Sequence, residues 1–437
     1  MVLKGWNRVL LMSAVLLYSA AALAQDAQPK PIVPPDRVIA GYTLQPDQLA
    51  KATMLHRVRV RLMIGEIAFG LVLLIAFLYG RVGPRIRDLA RHMTKRVGFQ
   101  GLIYSPLLLL TLIVLQLPID MYGHHLSLSY GLSIQSWGSW FSDWGKSIAL
   151  IVLIGSGAIC GVYAIIRRSP RKWWLWLWIL SLPLAVFFLF LMPLVIDPMF
   201  HRFDPLESRH AELVSEIEKV VHHGGLEIPR NRIFEMRASD KVTTLYAYVK
   251  GIGTSKRVVF GDNTVKELTD AQTLYVFGHE MGHYVLNHIW KGLGFLALLL
   301  LAAYYLGYRL GGWAISRYGP QWGIHHLSDW ASLPLLILII ALFAFITEPM
   351  TSGFSRHLEH QADQYGIEVI HGIVPNSNQA AAQAFQALSQ KSLSYPYPSR
   401  WLIFWTYDHP AISDRLQFVL HYNPWAEGKE PDFVKPR

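Results

Sequence analysis

Apolar residues along this chain come in long unbroken runs rather than in the short periodic stripes of a water-soluble domain. Four runs lie in the first half, at about 62–80, 101–120, 147–167 and 173–196, and two more follow at about 291–311 and 331–348. Each approaches or exceeds the roughly 20 residues a helix needs to cross a bilayer. The pattern predicts an α-helical integral membrane protein, a polytopic bundle. Two polar regions, 200–289 and 349–437, would meet over one end of it. No internal repeat of the transporter kind is visible.

A shorter apolar stretch, 9–21, follows Lys4 and Arg8 and ends at Ala22-Leu23-Ala24 before Gln25. That is the layout of an export signal. An uncleaved first membrane helix shares the same features, and both readings put residue 25 on the outer face. The expected organisation is a signal segment at 1–24, a linker and amphipathic lead-in at 25–61, and a four-helix membrane domain at 62–199. A catalytic region at 200–437 follows, interrupted by the last two membrane helices.

Charge then orients the bundle. The loop after the first run holds Arg81, Arg85, Arg87, Arg91, Lys95 and Arg96, and the loop before the fourth holds Arg167, Arg168, Arg171 and Lys172. Both are expected on the cytoplasmic side. Counting onward, both polar regions are expected to face outward; an A-x-A signal suits a bacterial inner membrane, hence its periplasmic side, with an endoplasmic reticulum as the alternative. Composition agrees: 52% of residues are hydrophobic and 16% charged, against about 25% charged in soluble proteins. The net charge of +10 is concentrated beside membrane runs, so nucleic acid is not the expected partner. The single cysteine, Cys160, sits inside an apolar run, which excludes a disulfide framework and a thiolate metal cluster. Glu66 lies within the first run, where a charge is costly; it should face the bundle interior or sit near an interface.

The polar regions carry the chemistry. His279-Glu280-Met281-Gly282-His283 lies in a stretch, 271–288, that reads as a helix with a capping box from Thr269 and Gln272. Residues four apart share a helix face, so His279 and His283 can hold one zinc ion. Glu280, one residue along, can take the proton of a water that the metal activates. A catalytic zinc needs a third protein ligand and an open position. Glu359 is the favoured candidate, in a stretch expected to be helical after Pro349, with His357 and His360 as rivals. Asp363, four residues on, could accept a hydrogen bond from a ligand histidine. A solvated helix face would also account for Glu359.

The segment His279 to His288, followed by an apolar helix and then Ser355-Arg356, Glu359 and Ala362-Asp363, resembles the integral-membrane CAAX prenyl protease 1 family of zinc metalloproteases. Further likeness lies in Leu117 to Tyr122, Trp140 to Lys146, Pro193 to Leu206 and Asp408 to Leu416. The resemblance implies a gluzincin-like site with one zinc per chain, Glu359 as third ligand, and Asp363, Arg356 and Asn287 in the shell around the ligands. It also implies that His409 and Arg415 approach the substrate, His409 as an oxyanion donor and Arg415 orienting carboxylates or gripping one. In such proteases an edge strand before the zinc helix pairs with an extended peptide; here the strand signals are 243–249 and 257–260, with Tyr246, Ala247 and Tyr248 as the substrate-binding positions. Tyr246 departs from the family's Asn, which bears on substrate choice. The expected function is hydrolysis of membrane-associated or misfolded proteins, with a peptide substrate and the lipid bilayer as partners. A prenyl-protein endopeptidase and a catalytically silent peptide-binding scaffold are the alternatives.

Overall fold

The computed structural model describes residue 42 and residues 44–251 and 257–435. The expected signal segment at 1–24 lies outside the described residues, as does most of 25–43. Among the described residues, six helices are long and apolar enough to cross a membrane: Pro46–Tyr79, Val97–Ser129, Trp137–Arg168, Trp173–Phe200, His288–Trp322 and Trp330–Ile370. Their outer faces carry the apolar surplus. Leu153, Leu298 and Ile346 are 74%, 67% and 68% exposed, a belt that acyl chains would cover and water would not tolerate.

Two boundaries of membrane helices fall elsewhere than expected. Residues 46–61 are not a separate lead-in but the first half of one helix, Pro46–Tyr79. At 1.5 Å per residue, a helix of that length spans roughly 50 Å, well beyond the ~30 Å hydrocarbon layer. Its start packs with the polar region through Ala52, and its end packs in the bundle through Leu73 and Phe77. Likewise the sixth span does not stop at Pro349 to let a new helix begin. Pro349 lies inside the continuous helix Leu333–Ile370. A proline removes one backbone bond, and packing on both sides of it carries the helix through. Glu66, in the first span, is exposed within the chain.

The two ends of the bundle differ. At one end the arginine-rich loops meet the connection between the fifth and sixth spans: Arg81 Nε donates to the Gln321 carbonyl at 2.8 Å, Arg87 Nη1 to Asp329 Oδ2 at 2.5 Å, and Arg167 Nε to the Ser328 carbonyl at 3.2 Å. At the other end sits the polar region. There Ser133 bridges Val242, and Lys241 Nζ donates to the Phe200 carbonyl at 2.6 Å and to Asp143. The basic loops and the polar region therefore occupy opposite faces.

The polar region contains a four-stranded sheet of β1 (Phe203–Pro205), β2 (Ile233–Met236), β3 (Ala247–Lys250) and β4 (Arg257–Gly261), in the order β1-β2-β4-β3. β3 is an edge, antiparallel to β4, with Ala247 opposite Phe260 and Tyr248 opposite Val259. The expected strand at 243–249 begins only at Ala247, because upstream backbone groups find other partners. Thr243 N donates to the Leu132 carbonyl, Asn263 Nδ2 to the Thr244 carbonyl, and Tyr246 N to Thr264 Oγ1.

The sheet backs onto the helix Asp270–Val285, which carries the His-Glu-x-x-His sequence, and that helix lies against the end of Leu333–Ile370. Glycines set how closely they lie. A Cβ on Gly366 would stand 3.0 Å from the His279 backbone nitrogen, and one on Gly278 2.8 Å from Val369 Cγ1 and 3.1 Å from the Gly366 carbonyl oxygen. A Cβ on Gly282 would stand 3.1 Å from the Tyr365 side chain. Gly366→Ala is therefore expected to cost about 1–3 kcal/mol by overpacking and to lower metal content. Gly161→Ala, which faces open space, should do neither. Thermal midpoints and metal analysis of the two purified variants distinguish these outcomes.

Candidate metal centre

The helix Asp270–Val285 starts where Thr269 and Gln272 complete a reciprocal capping box, as the sequence predicts. The cap fixes its phase, and i, i+4 spacing turns His279 and His283 to one face. The helix ends at Val285, three residues short of the expected 288. Asn287 adopts a left-handed conformation, φ 57°, which a short polar side chain tolerates. The chain turns there and His288 begins the fifth membrane helix.

Three donors converge across the glycine contact. His279 Nε2 and His283 Nε2 lie 3.2 Å apart. Each is 3.4 Å from an oxygen of Glu359. Ligands bonded to zinc at about 2.0–2.1 Å with tetrahedral angles stand roughly 3.3 Å from one another; the two imidazoles meet that spacing, Glu359 turns Oε2 to His279 and Oε1 to His283, and one donor atom from each residue lies within 4.8 Å of the others, a group that could hold one metal ion. Glu359 Oε2 is also buried without a conventional hydrogen bond, as a ligand oxygen would be. The rivals for third ligand are elsewhere: His357 is exposed, and the His360 ring packs on Phe418 at 4.3 Å.

Around the ligands, Asp363 is the central group. Its Oδ1 lies 2.8 Å from His279 Nδ1. Arg415 donates to it through Nε at 2.8 Å and Nη2 at 2.5 Å, and the Tyr275 hydroxyl lies at 3.4 Å. Arg415 is stacked 4.2 Å above the Phe385 ring and reaches Glu359 Oε2 at 3.7 Å. Its fork is thus engaged with the site's own carboxylates. His409 Nε2 lies 3.3 Å from Glu359 Oε2, while its Nδ1 bonds Asp408 at 2.8 Å. Burial lowers the His283 imidazole, to about 3, which leaves it neutral with a free lone pair. Burial acts on His279 in the same sense, but Asp363 and Glu359 more than reverse it, raising it to about 10.

Glu280 projects beside this group. Burial raises its carboxyl above the usual range, and its Oε2 accepts from Val249 N at 3.3 Å. Val249 lies on the edge strand β3, so strand and carboxylate are tied together. Ala247 and Val249 pack toward the main core with the motif helix, whereas Tyr246 and Tyr248 pack on the opposite sheet face with Met236, Ala238 and Val259. Alternation along a strand makes this necessary. Of the three expected substrate positions, Ala247 alone is on the motif-helix face, and Val249 joins it.

Two residues expected around the ligands are placed differently. Arg356 donates to the carbonyls of Ile403 at 2.8 Å and Tyr407 at 2.6 Å. It ties down the segment before His409 and does not touch the ligands. Asn287 makes the turn described above, and its side chain reaches only the Val285 carbonyl, at 3.5 Å. The contact to His283 comes instead from His288, whose Nδ1 is 3.0 Å from His283 Nδ1 and whose Nε2 is 3.1 Å from Gln361 Oε1. Helical periodicity could not pair residues five apart. The signal was Asn287, a residue type suited to a left-handed turn.

Comparisons with known proteins fall on the same ground. Residues 28–202 match the family model described as CAAX prenyl protease N-terminal, five membrane helices, and residues 207–423 match Peptidase family M48. A Bacillus subtilis protein, the uncharacterized metalloprotease YhfN, is 32% identical over 89% of this chain and 89% of its own length. CAAX prenyl protease 1 of Saccharomyces cerevisiae is 26% identical over 74% of this chain and 73% of its own. The crystal structure of S. mikatae Ste24p superposes with a TM-score of 0.72 at 21% identity, covering 96% of this chain and 97% of that one; this likeness is one of fold.

Asp363→Asn keeps the shape but weakens the hold on His279. Zinc affinity should fall about 10–100-fold, the usual effect of removing such a support, with helical content unchanged. Competition against a fluorescent chelator measures it, and unaltered affinity would remove Asp363 from the centre.

Proposed function

The chain belongs to peptidase family M48, as an integral-membrane metalloprotease, and on that premise we propose that it is a zinc-dependent endopeptidase acting on membrane-associated or misfolded proteins. The observation that carries this reading is the convergence of His279, His283 and Glu359, whose donor atoms lie within 4.8 Å of one another, with the Glu280 carboxylate beside them. His279, His283 and Glu359 would hold the ion. Zinc when bound supplies Lewis acidity, polarising a water and the scissile carbonyl at its open position.

The chain's own residues do the rest. Glu280 Oε accepts the proton of the attacking water and returns it to the leaving nitrogen, a role its burial favours. An extended peptide adds to the free edge of β3, on the side where Val249 meets Glu280, and main-chain hydrogen bonds hold it with little demand on side chains. His409, half exposed beside Glu359, donates to the developing oxyanion. Arg415 and Asp363 act as a positioning pair: the guanidinium fixes the carboxylate that orients His279.

Glu280→Gln should retain about one zinc per chain while hydrolysis of an unfolded membrane-protein substrate falls by roughly 10²–10⁴-fold, the range for loss of a general base. Zinc with no cleavage by either form would point to a peptide-binding scaffold, and no zinc in either would sink the metal assignment.

The site faces away from the basic loops, and the positive-inside rule supports a site on the periplasmic side of a bacterial inner membrane. In a Cys160→Ala background, Lys429→Cys should react with an impermeant maleimide added to intact spheroplasts and Arg171→Cys should not. The reverse labelling would place the centre in the cytosol and favour prenyl-protein processing.

A further inference from the structure

At the face of the bundle opposite the metal centre lies a cavity of about 400 Å³, lined by Arg91, Lys95, Gln100, Arg167, Asp329 and Trp330 among others. Three of these side chains are cationic. The one carboxylate on the lining, Asp329, is already bonded by Arg87 Nη1 at 2.5 Å, and Arg91 reaches it only at 3.8 Å. Lys95 has no ion-pair partner among the described residues and is exposed. Arg167 is pre-set: its guanidinium lies 4.0 Å over the Trp330 ring and its Nε donates to the Ser328 carbonyl at 3.2 Å. The cavity is thus a fixed concave surface with uncompensated positive charge, where an anion gains most.

What stands next to it narrows the ligand. The helix Val97–Ser129 starts at the cavity with Val97 on its lining, and Val97, Phe99 and Leu102 are 48%, 53% and 56% exposed. Arg96 lies 6.0 Å over the Phe99 ring, a cation above an apolar stripe. A ligand with a phosphate at one end and acyl chains at the other satisfies both halves, and basic pockets between membrane helices are suited to such headgroups. We propose that this cavity is a binding site for the headgroup phosphate of an anionic phospholipid, with Arg91, Lys95 and Arg167 as phosphate contacts and the acyl chains along Phe99 and Leu102.

The site is independent of the metal centre, and so is its test. The full-length protein is incubated with phosphatidylglycerol or phosphatidylcholine in detergent, and retained lipid is counted by native mass spectrometry. The wild type should retain about one phosphatidylglycerol in preference to phosphatidylcholine. Arg91→Gln/Lys95→Gln should weaken that retention roughly 30-fold, about fivefold for each basic side chain, with zinc content unchanged; Arg91→Lys should keep it. Equal retention of the two lipids by the wild type would overturn the assignment without recourse to any variant. So would undiminished retention by the double variant at unchanged zinc content. Excess inorganic phosphate that displaces the lipid fully would mark a site for free phosphate and reject the lipid.

Discussion

The metal centre depends on how closely two helices can approach. His279 and His283 ride on one helix and Glu359 on another, and only a backbone-to-backbone contact brings donor atoms of all three within 4.8 Å of one another. Gly278, Gly282 and Gly366 supply that contact. A methyl group at the interface would move Glu359 by a distance comparable to the tolerance of a zinc bond. The sheet, the capping box and the membrane bundle all act by holding this one approach in place.

Charge is arranged around the same contact. Asp363 is buried and would be costly alone, but Arg415 and His279 meet both its oxygens. That pairing turns a buried carboxylate into a fixed reference point: it orients one ligand, anchors a guanidinium that also reaches Glu359, and joins the C-terminal helix Ile412–His421 to the metal site. Arg356 performs a parallel service from the same long helix, gripping the carbonyls of Ile403 and Tyr407 so that the following segment delivers His409. The edge strand is connected through Val249 and Glu280.

Much of this was legible in the sequence, where local rules decide. Run length foretold the six spans, the capping box foretold where the motif helix starts, and i, i+4 spacing foretold the shared face of His279 and His283. Glu359 was favoured only over His357 and His360 by sequence, with Asp363 four residues on, and family resemblance strengthened both; the structure supplies the geometry that spacing lacks. What was not legible depends on contacts distant in sequence or on three-dimensional phase. Nothing local tells that Gly366 faces His279, or that His288 swings back to His283 once Asn287 turns the chain. Apolar runs mark where lipid begins and ends, not where a helix does, so Pro46–Tyr79 and Leu333–Ile370 were both cut short. Tyr246, Ala247 and Tyr248 were named from the resemblance to a family whose edge strand pairs with substrate; spacing alone could not tell that strand alternation sends the two tyrosine side chains to the far face of the sheet.

The continuity of Leu333–Ile370 has a consequence for how such a molecule can be taken apart. The helix enters the bilayer at Leu333 and ends by presenting Glu359 and Asp363. The boundary between membrane and catalytic portions therefore runs through the middle of a rigid rod and not through a linker, the usual seam between domains. An excision that sheds the membrane half would have to cut through the helix that presents Glu359, not through a linker.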